Sequence, residues 1–193
     1  DDKKTLVRCP KEATEITILD SVTSIWGSAF FDCSGLTSIS VDVNNPKYDS
    51  RNNCNAIIET ETNTLIAGCK NTIIPDSVTS IGEDAFASCS GLTSIVIPDS
   101  VTSIGEDAFS GCSGLTSIVI PDGVTSIGKW AFYDCSGLTS IVIPDSVTSI
   151  GKGAFYDCSG LKEIRIPKGT RDKFCAMPEL KKYENLLVEY KKE

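Results

Sequence analysis

The chain has 193 residues, no histidine and a formal net charge of −8, from 18 basic and 26 acidic side chains. The length is sufficient for one domain with a sizeable core. The acidic balance argues against binding nucleic acid, which requires a basic surface. Without histidine the chain can build neither a Ser-His-Asp or Cys-His nucleophile nor a histidine metal site. No apolar run approaches the roughly 20 residues that span a bilayer.

The first predicted elements are an N-terminal cap over residues 1–12 and a strand that begins a repeat array. Ile16 and Ile18 alternate as a strand requires, and they have the phase of later copies. The chain begins at Asp1 without an apolar leader, so we expect any export signal to have been removed or to lie outside this chain.

A repeat of 23 residues then dominates the sequence. Its most regular marker is the phenylalanine of an Ala-Phe pair, which recurs at Phe86, Phe109, Phe132 and Phe155 after an earlier copy at Phe30. In each unit a Leu-x-x-Ile-x-Ile strand is predicted to end at proline, which has no N–H for a ladder. The Ala-Phe segment predicts a short helical turn. The cysteine that follows it is predicted to be buried. One unit cannot bury its own apolar face, so the units must stack as a parallel solenoid of about seven rungs.

An insertion of residues 42–74 interrupts this array. Two short apolar runs, 56–60 and 64–67, flank a polar turn and predict a β-hairpin that projects from the solenoid edge. Two interpretations stay open for it, an ornament that extends the sheet and a loop that contacts a ligand.

The repeat ends after Pro167. Residues 168–193 predict a helical stretch over 171–177, a second helix from Pro178 to Tyr183 and a last strand around 186–188. We expect them to be a C-terminal cap that covers the end of a solenoid spanning residues 13–167.

The phased Leu, Ile, Val, Phe and Cys positions of residues 13–167 resemble leucine-rich repeats of the BspA-like type. Such repeats occur on the surfaces of Bacteroidetes, of related gut and oral bacteria, and of some parasitic protists. The resemblance implies a right-handed stack of parallel β-strands, with short turns or helical segments on the convex side, a hairpin insertion and a helical C-terminal cap. It also implies an extracellular or cell-surface location and a non-catalytic role in adhesion or protein binding.

Nine cysteines cannot all pair within one chain. Cys54 and Cys69 bracket the hairpin and would face each other if Glu59 pairs with Thr64, so a disulfide between them is an open alternative. Cys9 and Cys175 lie in opposite caps and are expected to be free. Five others share one phase and are expected to be buried thiols, because parallel Cβ vectors suit a disulfide poorly; they are Cys33, Cys89, Cys112, Cys135 and Cys158.

Acidic pairs recur at Glu83-Asp84 and Glu106-Asp107. Stacked carboxylates are able to bind calcium or to form a dyad, but a solvated edge at the start of a turn explains them as well. The chain has no Cys-x-x-Cys pair, and its glycine turns lack the lysine and helix of a phosphate loop. We therefore expect no enzyme activity, no metal and no cofactor.

The remaining candidate is the outward, concave face of the strands, where ligands often dock in leucine-rich repeats. Two columns face outward there, one of serines and one of valines that ends in arginine: Ser94, Ser117 and Ser140, and Val96, Val119, Val142 and Arg165. An apolar column is a candidate for partner contact, although β-propensity alone also explains valines in strands. A second candidate is aromatic: Trp130, Tyr133 and Tyr156, the two tyrosines being expected to stack.

These observations predict a monomeric module that binds a host or bacterial surface protein, with no nucleic-acid partner and no membrane span in this chain. The alternative is a structural spacer or display module of a larger surface protein. Fold alone does not decide between them.

Overall fold

The computed structural model describes residues 4–191, which form an array of short strands. The strands are, in chain order, β1 (Thr5–Leu6), β2 (Glu15–Ile18), β3 (Ser24–Ile25), β4 (Ser38–Val41), β5 (Tyr48–Asp49), β6 (Ala56–Glu59), β7 (Thr64–Gly68), β8 (Ser80–Ile81), β9 (Ser103–Ile104), β10 (Ser117–Val119), β11 (Ser126–Ile127), β12 (Ser140–Val142), β13 (Ser149–Ile150), β14 (Glu163–Pro167) and β15 (Leu187–Tyr190). The helical segments are 3₁₀ turns at Gly27–Phe30, Arg51–Asn53 and Lys181–Leu186, and one α-helix, α1 (Arg171–Cys175). Residues 1–3 of the predicted N-terminal cap and 192–193 of the predicted C-terminal cap lie outside the described residues.

Equivalent strands of successive repeats pair in parallel and in exact repeat register. One sheet has the order β10-β12-β14-β15, and a second has the order β13-β11-β9-β8-β7-β6-β5. At the N-terminal end β1 pairs with β3, and β2 with β4. The result is a parallel β-solenoid of about eight turns, which confirms the predicted fold class and adds one turn to the predicted number.

The Ala-Phe segments form a third ladder, which is built from turns and not from the predicted short helices. The backbone N–H groups of Asp107, Phe109 and Gly111 donate to carbonyls of the next repeat at 2.9, 2.7 and 2.7 Å. The chain enters each of these segments through a residue with positive φ, at Asp84, Asp107, Trp130 and Gly153. We call residues 84–88, 107–111, 130–134 and 153–157 the turn ladder. Within the repeats of the described part, only Gly27–Phe30 forms a 3₁₀ turn at this place.

The core contains a stack of phenylalanine rings behind the turn ladder. The ring centroids of successive phenylalanines lie 5.1, 5.3 and 5.7 Å apart and the rings are nearly parallel, from Phe86 through Phe109 and Phe132 to Phe155. All four rings are buried. Phe30 is not part of this stack, because Gly68 of the insertion occupies the neighbouring place: a Cβ on Gly68 would lie 2.1 Å from the Phe86 ring.

The repeat-phased cysteines are buried free thiols, as predicted. The thiols of Cys112, Cys135 and Cys158 donate to the carbonyl oxygen of the phenylalanine in the preceding repeat, at 3.2, 3.1 and 3.0 Å. Burial raises the pKa of Cys89 and of Cys158 to about 11. These thiols therefore stay protonated at neutral pH and are poor nucleophiles.

The insertion does form the predicted hairpin, but it does not project from the edge. β6 and β7 pair antiparallel, and β7 then pairs in parallel with β8, so the hairpin is built into the seven-stranded sheet. Ile57, Ile58 and Leu65 are fully buried. The Arg51 guanidinium holds the segment in place by contacts to Asp49, to the Asn63 side chain and to the Ser77 hydroxyl.

Cys54 and Cys69 are not bonded to each other. Glu59 pairs with Thr64, which is the pairing that a Cys54–Cys69 disulfide would need. An irregularity between Ile57 and Ile58, however, shifts the register of the pairs nearer the cysteines by one residue. A shift of one residue turns a side chain to the other face of a sheet. Cys54 consequently packs in the cluster that contains Phe86, and Cys69 in the separate cluster that contains Phe30.

The C-terminal segment covers the last rung of the array. α1 occupies most of the predicted helical stretch 171–177, and the predicted second helix is instead the 3₁₀ turn at Lys181–Leu186. The predicted last strand is β15, which pairs in parallel with β14. The Tyr183 hydroxyl donates to the Phe155 carbonyl oxygen at 2.5 Å, which is the contact that cysteine thiols make in the preceding rungs. Among residues 4–191 no helix is long and apolar enough to cross a membrane.

Candidate binding surfaces

The predicted valine column lies on the outward face of the four-stranded sheet. Val119 is directly opposite Val142, which is opposite Arg165, and Arg165 is opposite Val188. The side chain of Val119 is 60% exposed, and Val96 is 83% exposed. Val188 extends the column by one rung that sequence reasoning missed, because the register of β15 is not set by the repeat.

The serine column runs beside the valines. Ser117 pairs with Ser140, and Ser140 with Glu163. Ser94 and Val96 have the same phase, but residues 93–97 form no strand, and the link to the next rung is a long 3.4 Å bond from the Thr116 N–H to the Thr93 carbonyl. The structure therefore aligns the predicted columns fully from residue 117 to residue 165 and only loosely at their first rung.

The predicted aromatic candidates lie on a different side of the molecule, around an open groove of about 1160 Å³. The rings of Tyr133 and Tyr156 stack with centroids 6.1 Å apart and planes within 9°, which confirms the predicted pair. Trp130 lies in the same groove. We call this feature the aromatic groove; it lies between the last rungs of the turn ladder and residues 178–183.

Trp130 occupies its place because the next repeat has glycine at the equivalent position. A Cβ on Gly153 would lie 2.5 Å from the indole Cδ1 of Trp130, and Gly153 has φ +71°. The indole thus lies against the backbone of the last rung at Gly153, where there is no Cβ, and the Trp130 residue remains 43% exposed. On the other side of the groove the Lys182 ammonium lies 4.7 Å from the ring centroids of both Tyr156 and Tyr183. The cap side of the groove could not be found by repeat phase, because residues 178–183 lie outside the repeats.

Residues 4–68 and 58–173 match the family model described as a BspA type leucine rich repeat region, in six copies. The chain belongs to this family. Comparison with curated proteins gives no match. The solved structures that this BspA-type chain resembles are bacterial leucine-rich repeat proteins, and it spans half of their length or less in the three cases that follow.

A leucine-rich repeat protein from Eubacterium ventriosum is 26% identical with a TM-score of 0.72, over 81% of this chain and 43% of that one. A leucine rich cell surface protein from Faecalibacterium prausnitzii is 33% identical with a TM-score of 0.60, over 85% of this chain and 50% of that one. A leucine-rich repeat protein from Bacteroides ovatus is 26% identical with a TM-score of 0.52, over 98% of this chain and 41% of that one.

The stacked acidic pairs of the BspA-type repeats do not assemble a metal site. Among residues 4–191 no group of three or more His, Cys, Asp or Glu side chains is placed to hold a metal ion. Burial, followed by the charge of Asp107, raises the pKa of Asp84 to about 6. The carboxylates therefore repel one another in the folded state, and this repulsion affects stability.

Asp84→Asn is expected to stabilise the protein at pH 7 by up to about 1 kcal/mol, a value discounted because the carboxyl is half exposed. The folded pKa of Asp84 lies above its unfolded value, so wild-type stability falls as pH rises from about 4 to 6. Asparagine is neutral and tolerates the positive φ of this residue. Urea midpoints measured from pH 4 to pH 7 would show a flatter profile in the variant. The exposed Asp99→Asn serves as control, and an unchanged slope for Asp84→Asn would contradict the expectation.

Proposed function

We propose that this chain is a non-catalytic, extracellular module of a bacterial cell-surface protein, and that it binds a host or bacterial surface protein through the valine column of its concave face. The family membership supports the surface location, as does the likeness to a protein described as a leucine rich cell surface protein. We also propose the division into an N-terminal cap (1–12), a solenoid (13–167) and a C-terminal cap (168–193), acting as a monomer.

The observation that carries this proposal is the alignment of exposed and partly exposed apolar side chains on adjacent strands. Val119 and Val142 are adjacent in register, Val188 continues the column beyond Arg165, and a polar column flanks them. A single exposed valine is ordinary in a strand. Aligned valines on an open sheet face form an apolar strip, here interrupted by Arg165, and an apolar strip is the kind of surface that partners bury.

The function is tested with a Val119→Glu, Val142→Glu double variant. Its binding to immobilised host matrix proteins, mucins and bacterial cells is compared with that of the wild type by surface plasmon resonance, with circular dichroism to verify folding. We expect saturable binding by the wild type and at least roughly tenfold weaker binding by the variant, since it places charge in the centre of the apolar strip.

The matched control is a Val7→Glu, Val43→Glu double variant, which makes the same change at exposed valines outside the column. It should bind as the wild type does. Binding that survives in the column variant would contradict the proposed site. Wild-type protein that binds none of these surfaces would favour the structural spacer over the binding module.

A further inference from the structure

Cys9 lies one residue out of phase with the cysteines of the repeat. The residue that precedes Cys33 by one full repeat of 23 residues is Pro10, so Cys9 is displaced from the repeat position by one place. Cysteines that share one phase point in the same direction on neighbouring rungs, and parallel Cβ vectors suit a disulfide poorly. The displacement removes this obstacle for the pair formed by Cys9 and Cys33.

The thiols of Cys9 and Cys33 converge on one carbonyl group. Each Sγ atom lies 3.6 Å from the carbonyl oxygen of Pro10, and the Cys33 Sγ is also 3.5 Å from the carbonyl oxygen of Cys9. In later rungs the thiols of Cys112 and Cys135 donate instead to the phenylalanine carbonyl of the preceding repeat. The Cys33 thiol is therefore directed at the segment that carries Cys9, and the two sulfur atoms are neighbours around the Pro10 carbonyl.

Both thiols are buried and protected while the N-terminal segment is in place. Cys9 is 0% exposed and Cys33 is 7% exposed, and both belong to the cluster that contains Phe30. Burial, followed by the neighbouring Cys33 thiol, raises the pKa of Cys9 to about 12. The Cys9 thiol is thus protonated at neutral pH and is a poor nucleophile in the closed structure.

The segment that covers Cys33 is attached to the array by short contacts. β1 pairs with β3 over two residues. The N–H of Trp26 donates to the Leu6 carbonyl at 3.1 Å, and the N–H of Cys9 donates to the Ala29 carbonyl at 2.6 Å. A terminal element of this size opens by local unfolding at a lower free energy than the whole fold. Opening exposes Cys9 to water and lets its pKa return towards its ordinary value.

We propose that Cys9 and Cys33 are a disulfide site, which locks the N-terminal cap to the first repeat when the protein meets a low-molecular-weight disulfide such as glutathione disulfide. Oxidising conditions of this kind are found outside the cytosol, in agreement with the extracellular location proposed above. The site depends on neither the valine column nor the aromatic groove.

The reaction is thiol–disulfide exchange in two steps. In the open cap the Cys9 thiol loses its proton to water, and its thiolate attacks one sulfur of glutathione disulfide; the S–S bond of the oxidant breaks and one glutathione leaves. Closure of the cap brings the mixed disulfide to Cys33, whose sulfur attacks the Cys9 sulfur and releases the second glutathione, which takes the Cys33 proton. The protein loses two electrons and two protons, and the oxidant is reduced to two thiols.

The bond is detected by peptide mapping of the wild-type protein. Fully reduced protein is incubated in its folded state with glutathione disulfide, free thiols are blocked with N-ethylmaleimide, and the trypsin digest is analysed by mass spectrometry. Trypsin cleaves after Arg8, Lys11 and Lys47, so Cys9 and Cys33 fall in separate peptides without other cysteines. We expect peptide 9–11 linked to peptide 12–47, and a loss of two of the nine free thiols titrated in denaturant.

The locking effect is measured by thermal melting and by amide hydrogen exchange. Oxidation is expected to raise the Tm of the wild type by about 5 °C or more, and to slow exchange of the Cys9 amide by about tenfold or more, because the linked cap no longer opens. Cys9→Ser should show neither change. Cys175→Ser, which removes a cysteine of the opposite cap, is the matched control and should show both.

The mapping is decisive even if Cys9→Ser does not fold, since it uses the wild-type chain. The proposal is overturned if the oxidant leaves peptides 9–11 and 12–47 blocked only by N-ethylmaleimide or only by glutathione, or if Cys33 is linked to a different cysteine. A Cys9–Cys33 bond that changes neither the Tm nor the exchange of the Cys9 amide would refute the locking role.

Discussion

Phe109→Ala is expected to destabilise the solenoid by about 3–5 kcal/mol, the usual cost of removing a fully buried aromatic ring from a core. Phe109 is 0% exposed and stacks on Phe86 at 5.1 Å and on Phe132 at 5.3 Å. Both neighbours are held by backbone hydrogen bonds of the turn ladder, so they cannot close the cavity without breaking that ladder. Since each rung contacts only its neighbours, the loss in the middle of the array also weakens coupling between its two halves.

Equilibrium urea unfolding followed by circular dichroism measures this loss. Phe31→Ala is the matched control, because it is the same substitution one residue after the first Ala-Phe pair, at an exposed side chain. It should cost less than about 1 kcal/mol. If the two variants unfold at the same urea concentration, the assignment of the phenylalanine stack as the core of the array is wrong.

The repeat phase was sufficient to predict the solenoid, the buried phenylalanines and the buried cysteines. A unit of this kind can bury its apolar positions in only one way. The position of a residue within the repeat therefore also predicts whether its side chain is buried. Prediction was less complete where the phase is broken. Cys9, in the proposed N-terminal cap, is buried beside Cys33, whose thiol donates to the Cys9 carbonyl at 3.5 Å. The only sequence signal for this was its spacing of 24 residues from Cys33.

The sequence pattern predicts a helical turn where the turn ladder lies, although the same sequence contains a signal for positive φ. Aspartate or glycine recurs at the start of the segment at Asp84, Asp107 and Gly153, and these residue types tolerate the positive φ found there. The hairpin irregularity and the register of β15 have no such signal. Both features depend on how these segments pack against the folded solenoid. The same packing places residues 178–183, which lie outside the repeat, against the last rungs and so forms the aromatic groove.

Gly137→Ala is expected to destabilise the protein by about 2–3 kcal/mol, because it forces an atom into a closed contact between rungs. A Cβ on Gly137 would lie 2.2 Å from the backbone oxygen of Ser113 in the preceding repeat. Neither backbone can retreat freely, since the Thr139 N–H donates to the Thr116 carbonyl at 2.8 Å beside this contact. The rungs would have to separate locally, with loss of ladder hydrogen bonds on both sides.

The chain provides a matched control in Gly35, which occupies the same place in the first repeat. A Cβ on Gly35 would lie 3.6 Å from the Ala13 carbonyl oxygen, an ordinary contact. Gly35→Ala should therefore change stability by less than about 0.5 kcal/mol, or raise it slightly by restricting the unfolded chain. The two variants make the same change at the same place in the repeat, and the largest difference between the sites is how closely the preceding rung approaches, so the difference between their urea midpoints reports the closeness of rung packing. Equal midpoints would mean that the rungs are less tightly stacked in solution than this geometry requires.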